Sequence, residues 1–152
     1  MTDIKPPMEV RDLDRFLPHR GPMVWVDQIC QWDLQGGTSL IRLDPKAHYM
    51  DHEGVRQSSV VEWIAQTYGF VRACQSQAAQ EPSDAEISRA YLVSFKNLSF
   101  SEKFEPALRS ERFLSVYVRT LRDSNPLKTI YGEVKTSAGE KIAAGEITVY
   151  SD

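Results

Sequence analysis

The sequence predicts an α+β protein in which a curved antiparallel sheet wraps around one long central helix. Three observations predict it. The run from Ser58 to Gln80 has no proline and is apolar on most sides over its first three turns, the mark of a buried helix. Two strand-like runs around a Gly-Gly pair precede it, and three or four strand-like runs follow it. At 152 residues the chain fits one compact domain with an adequate core. Residues 1–152 are therefore read as a single domain, with residues 1–10 an extended, proline-containing lead-in.

The elements follow in order. Asp12 to Leu17 predicts one helical turn stopped by Pro18. After Gly21-Pro22, the run Met23 to Trp32 is rich in β-branched and aromatic residues and reads as a strand. Gln35-Gly36-Gly37 reads as a turn and Thr38 to Asp44 as the second strand of a hairpin. Pro45 ends it, and residues 46–57 read as a polar loop holding His48, Asp51, His52 and Gly54. In the helix, Val60, Val61, Ile64, Ala65, Tyr68, Val71 and Ala73 recur near the 3.6 period, while Trp63 and Phe70 extend apolar character to other faces. The polar tail from Gln75 to Gln80 should emerge into solvent, and Glu81 to Glu86 reads as a loop. The remainder is β: Arg89 to Phe100 with an irregular end, Glu111 to Asp123, Leu127 to Ser137, and Lys141 to Ser151. Turns are expected at Ser124-Asn125-Pro126 and Ala138-Gly139. Leu114, Val116 and Val118 alternate with Ser115, Tyr117 and Arg119, so one face of that strand is buried.

Composition excludes several functional classes. The net charge is −3, from 18 basic and 21 acidic side chains, a poor balance for coating nucleic acid. No apolar run approaches the roughly 18 residues of a bilayer span. The opening MTDIKPPMEVRDLDRF lacks the apolar segment of a secretory signal, so a cytoplasmic protein is expected. Cys30 and Cys74 form no CxxC pair and sit in apolar patterns, which reads as buried free thiols in a reducing compartment. There is no HExxH, no cysteine-rich knuckle and no glycine-rich phosphate loop, so neither a metal nor a cofactor is expected.

Glu62 is the most informative residue. It stands in the first turns of the helix among Val60, Val61, Trp63 and Ile64, where a carboxylate needs a partner or becomes easier to protonate. Ser59-x-x-Glu62 also fits a capping box. Gln66 lies one turn further on the same face and needs a partner of its own: Glu62, backbone or a ligand. His48 and His52 occupy the loop feeding the helix, and a histidine beside a buried carboxylate supplies a base with an acid. His52, between Asp51 and Glu53, reads as the more solvated of the two. No GxSxG elbow occurs, and Ser58 and Ser59 are better explained as caps. Lys96, Lys103, Arg109 and Arg112 follow the helix, either for solubility or for an acidic partner.

Three segments resemble a known family. LPHRGPMVWVDQI (Leu17 to Ile29) is similar to the opening motif of the FabA/FabZ-type 3-hydroxyacyl-acyl carrier protein dehydratases, which have the hot-dog fold. VVEWIAQTYG resembles their central helix with its E-x-x-AQ pattern. SFKNLSFSEKFEP (Ser94 to Pro106) resembles the stretch before their long strands. The likeness spans about residues 12 to 150. It resembles most the divergent dehydratase-like branch found with aryl-polyene-type pathways.

The resemblance implies a hot-dog fold whose site forms at a dimer interface, from a loop histidine and an acidic residue on the partner's helix. The acidic residue matches Glu62. Counting back fourteen positions gives His48, although the loop here reads HYMDHEG without the family's Pro-Gly turns, and His52 is the alternative. Gln66, His19, Trp63 and Val61 are implied to touch the substrate. The implied reaction is loss of water from a 3-hydroxyacyl thioester of acyl carrier protein, giving the trans-2-enoyl product, in fatty-acid or polyene-type biosynthesis. The carrier is acidic, which suits Lys103 and Arg109. The implied assembly is a homodimer, or a heterodimer with another hot-dog protein. Two alternatives stand beside this: a non-catalytic subunit that binds acyl carriers or supports a partner dehydratase, and a hot-dog acyl thioesterase.

Overall fold

The structure, a computed structural model, describes residues 8–9, 24–44, 50–51, 54–55, 57–78 and 90–151. Among the described residues, seven strands form one sheet: β1 (Met8–Glu9), β2 (Gln28–Trp32), β3 (Gly36–Arg42), β6 (Ala90–Phe100), β7 (Phe113–Ser124), β8 (Leu127–Lys135) and β9 (Lys141–Ser151). Their spatial order is β1-β2-β3-β7-β8-β9-β6, and every neighbouring pair is antiparallel. Two short strands, β4 (Met50–Asp51) and β5 (Gly54–Val55), pair separately. The helices are α1 (Ser59–Ala78) and α2 (Phe104–Ser110).

α1 packs against β2, β3, β7, β8 and β9. The strand alternation explains how. Leu114, Val116 and Val118 of β7 are buried, as are Ile130 and Val134 of β8 and Ile147 of β9. They present one apolar face to the helix, as the period-2 pattern requires. From α1, Val60, Trp63, Ile64, Phe70 and Val71 are buried, so the helix is enclosed on several sides, as its apolar character predicts.

Gly132 allows a close approach of helix to sheet. A Cβ built there would lie 2.6, 2.7 and 2.8 Å from three side-chain carbons of Ile64. A β-branched residue on a helix has little rotamer freedom with which to yield. Gly132→Ala is therefore expected to cost about 1–3 kcal/mol by overpacking. In an Ile64→Ala background the same change should cost less, a coupling that denaturant titration of the four proteins would measure.

Several elements differ from the sequence reading. Of the described part of the first predicted strand, Val24 to Trp32, β2 covers Gln28–Trp32, with Asp27 N–H donating to the Leu40 carbonyl at 3.0 Å just before it. The hairpin turn lies at Asp33 to Gln35, not at the glycines: Asp33 Oδ1 accepts hydrogen bonds from Gln35 N (2.7 Å) and Gly36 N (3.0 Å), a side-chain-closed turn. Gly36 and Gly37 belong to β3 because other groups come so near. A Cβ on Gly36 would lie 1.9 Å from the Val118 carbonyl oxygen, and one on Gly37 would lie 2.8 Å from Val71 Cγ2. The polar loop contains the β4–β5 pair. α2 was not anticipated; it is held by buried Phe104 and Ala107, with Phe104 edge-to-face against Phe100 at 4.9 Å. The helix tail is not wholly solvated either, since Ser76 is buried and Gln75 Nε2 donates to the Asp33 carbonyl at 2.6 Å. Asp12–Leu17 and Glu81–Glu86 lie outside the described residues.

The four later strands are as expected. β7 and β8 are linked through Asn125–Pro126, a cis peptide bond, and Gly139 turns the chain with φ 85°, a conformation that favours glycine. β6 is irregular: its pairing with β9 shifts between Leu92 and Ser94 and again between Lys96 and Ser99. Asn97 there has φ 55°.

Candidate functional site

Glu62 lies in the first turn of α1 and is half-buried. Its Oε1 accepts a hydrogen bond from Gln66 Nε2 at 2.9 Å, the i, i+4 geometry that places both on one face. The other end of the Gln66 amide accepts from the Trp25 backbone N–H at 2.8 Å. Gln66 is 1% exposed, so its amide must be satisfied inside the protein. It ties the acidic residue on the helix to the segment leading into β2, 41 positions away in sequence. The backbone donor also fixes the amide's direction. With Oε1 on Trp25 N–H, the NH2 group faces Glu62.

This anchoring has a stability consequence. Gln66→Leu removes the acceptor that Trp25 N–H uses inside the protein. The expected loss is about 1–3 kcal/mol, read as a lowered denaturation midpoint.

A second polar contact holds the same helix. Ser39 on β3 and Thr67 on α1 are both fully buried and share a hydrogen bond of 2.8 Å. Two hydroxyls removed from water satisfy one another, and they fix the rotation of α1 one residue beyond Gln66. Of the other candidates on α1, Val61 is 6% exposed and Trp63 is fully buried. His19, His48 and His52 lie outside the described residues. The Trp25 N–H that orients Gln66 was not anticipated, because a backbone donor leaves no mark in the sequence. Only the need of a buried Gln for a partner pointed towards it.

Outside this cluster, both cysteines are free. Burial pushes the Cys74 thiol up to about 12, and the half-buried Cys30 is raised for the same reason, so neither is a ready nucleophile. Lys103 pairs with Glu140 at 2.7 Å, and Arg109 lies in the last turn of α2, where a cation is favoured. Among the described residues, no cluster of His, Cys, Asp or Glu is arranged to hold a metal, and no helix is long and apolar enough to cross a membrane.

Solved structures share the fold. The ApeI:P dehydratase heterocomplex from Xenorhabdus doucetiae is similar over 92% of this chain and 90% of that one, with a TM-score of 0.75 at 15% identity. A thioesterase candidate from Syntrophus aciditrophicus is similar over 93% and 95%, with a TM-score of 0.63 at 12% identity. A hypothetical thioesterase from Streptococcus pneumoniae, solved with coenzyme A, is similar over 82% and 84%, with a TM-score of 0.54 at 6% identity. At these identities the likeness is one of fold, the hot-dog fold. None of the curated proteins matches the chain. The sequence model of the ApeP-like family, described as ApeP dehydratase, matches residues 11–152. The chain therefore belongs to the ApeP-like dehydratase family.

Proposed function

We propose that this dehydratase-like hot-dog protein removes water from 3-hydroxyacyl thioesters of acyl carrier protein, giving trans-2-enoyl products, in a fatty-acid or polyene-type pathway of the cytoplasm. Residues 1–152 act as one domain. The observation that supports this most is the braced carboxylate: Glu62 held by Gln66, which is itself held by the Trp25 backbone. A side chain that must deliver a proton to one atom gains from being held in place.

In the proposed reaction His48, or His52 in its stead, takes the C2 proton, which the thioester acidifies. The C2–H electron pair forms the C2=C3 double bond as the C3–O bond breaks, and protonated Glu62 gives its proton to the departing hydroxyl, which leaves as water. Backbone N–H groups at the start of α1 polarise the thioester carbonyl. His19, Val61 and Trp63 belong to the substrate's surroundings, and Lys103 and Arg109 to the carrier's.

The acting unit is two hot-dog chains. Edge strand β6 carries the exposed apolar residues Leu92, Val93 and Phe95, and an exposed apolar edge invites another strand. The partner is a second copy or another hot-dog chain. The ApeI:P neighbour is a dehydratase heterocomplex, which favours the second kind and gives support to a further reading, a subunit that assists a partner's chemistry. The test is to assay the purified chain, alone and co-expressed with a hot-dog partner, on a 3-hydroxyacyl carrier thioester. Enoyl absorbance from the chain alone supports the main reading, and absorbance only with the partner supports the assisting one. Thiol release without enoyl formation overturns both in favour of a thioesterase.

A further inference from the structure

Among the described residues, the buried polar side chains are Ser39, Ser59, Gln66, Thr67, Ser76 and Thr136. Three of them, Ser39, Gln66 and Thr67, join α1 to the β2–β3 hairpin and the segment leading into it. Gln66 and Thr67 are successive helical residues, so their side chains leave the axis about 100° apart. Gln66 Oε1 accepts from the Trp25 backbone N–H, and Thr67 Oγ1 shares a hydrogen bond with Ser39 Oγ, both at 2.8 Å. The two anchor points belong to one unit. Asp27 N–H donates to the Leu40 carbonyl at 3.0 Å, and Ile29 stands opposite Ser39 in the ladder. The helix is thus tied to a single hairpin from two directions.

Such tethers do something that apolar packing does not. Val60, Trp63, Ile64, Phe70 and Val71 are buried around α1, and burial of apolar surface is non-directional. A helix apolar on most sides keeps much of that burial when it turns a little about its axis. A hydrogen bond weakens steeply once its geometry is lost, and a buried hydroxyl left without a partner costs more than a formed bond contributes. Ser39 and Thr67 are each 0% exposed, so neither can turn to water instead. Glu62 stands five residues before Thr67, roughly 7–8 Å along the axis. Its carboxylate reaches roughly 5–6 Å out from that axis, where a turn of about 10° moves it by about 1 Å. A misplacement of about 1 Å can cost roughly 100-fold in rate.

We propose that the buried Ser39–Thr67 hydroxyl pair is a positioning pair for the acid: with the Gln66–Trp25 anchor it fixes the rotation of α1 and so aims the Glu62 carboxylate. This rests on the acyl-thioester reading above. Both residues are buried between helix and sheet, so they act through the helix that carries Glu62 and not on the substrate. Losing the pair leaves binding as it is and slows only the step in which Glu62 gives its proton. That reads as a fall in kcat at constant KM.

The test is a double-mutant cycle in which kcat, KM and Tm are measured on each protein with a 3-hydroxyacyl carrier thioester. Any partner chain the activity needs is included. Thr67→Val keeps the side chain's shape, removes its hydroxyl and strands that of Ser39. It should lower Tm by roughly 2–12 °C. It should lower kcat roughly tenfold, less than the full misplacement loss because the Trp25 anchor remains, with KM within about twofold. Thr67→Ser keeps the hydroxyl and should bring kcat back close to the wild-type value. Ser39→Ala/Thr67→Val removes both hydroxyls, so Tm should recover most of its loss, while kcat should stay roughly tenfold down. A merely structural pair would let kcat return with Tm. That return, or a rise in KM at unchanged kcat, overturns the proposal. If Thr67→Val does not fold, Ser39→Ala breaks the same contact from the sheet side. If the wild type turns nothing over, the dehydratase reading fails separately, and the rotation of α1 is read by NMR at a distance from the pair. The contact between the Ile64 methyl groups and the Gly132 α-protons, close in the wild type, should weaken in the double variant. An identical contact in both proteins overturns the proposal.

Discussion

Glu62→Gln is expected to reduce enoyl formation by roughly 10²–10⁴-fold, the usual loss when a positioned acid or base is removed, while leaving the fold intact. The structure makes this substitution informative. A Gln at 62 keeps the shape of the carboxylate, and its Oε1 still accepts the 2.9 Å hydrogen bond from Gln66 Nε2. The brace is thus retained while the transferable proton is lost. Stopped assays on a 3-hydroxyacyl carrier thioester, with circular dichroism as a folding control, give the result directly. A rate equal to the wild type's would remove Glu62 from the proposed chemistry and leave it as a helix-terminal side chain. Parallel His48→Ala and His52→Ala variants then decide which histidine acts as base. The one that matters should approach the Glu62→Gln loss, and the other should stay near the wild-type rate.

Trp63→Ala should produce the largest loss of stability, about 3–5 kcal/mol. Trp63 is 0% exposed, and removing an indole from such a site leaves a cavity that its neighbours fill only in part. For a chain of this size each kcal/mol moves Tm by roughly 2–4 °C, so a fall of roughly 6–20 °C is expected. Trp63→Phe should cost distinctly less, because it keeps most of the packing. A calorimetric Tm for Trp63→Ala within about a degree of the wild type's would show that the side chain is not part of the core.

Much of this fold was legible because period and burial coincide. Leu114, Val116 and Val118 alternate in sequence and are buried in the structure. The run around Phe70 is helical and enclosed for the same reason. Legibility failed where one residue type has two uses. Gly36-Gly37 carries the same signal for a turn as for a close approach, and only the position of Val118 across the ladder separates them. α2 escaped because its 7 residues are too few to show a helical period, and Pro106, which its first turn tolerates, is not a sequence signal for a helix interior. In the site, the pairing of Glu62 with Gln66 follows from their spacing. The Trp25 anchor does not, because it depends on chain folding across 41 positions.

The irregularity of β6 has a consequence for how the protein survives at high concentration. An apolar edge with open backbone groups is a template on which chains can add without limit. Here the regular ladder is broken on either side of Ser94 to Lys96, and such interruptions bend a strand and increase its twist. An arbitrary extended segment therefore finds no long straight stretch to copy. Only a strand with matching interruptions can seat along the whole edge, so the same irregularity resists growth into fibres.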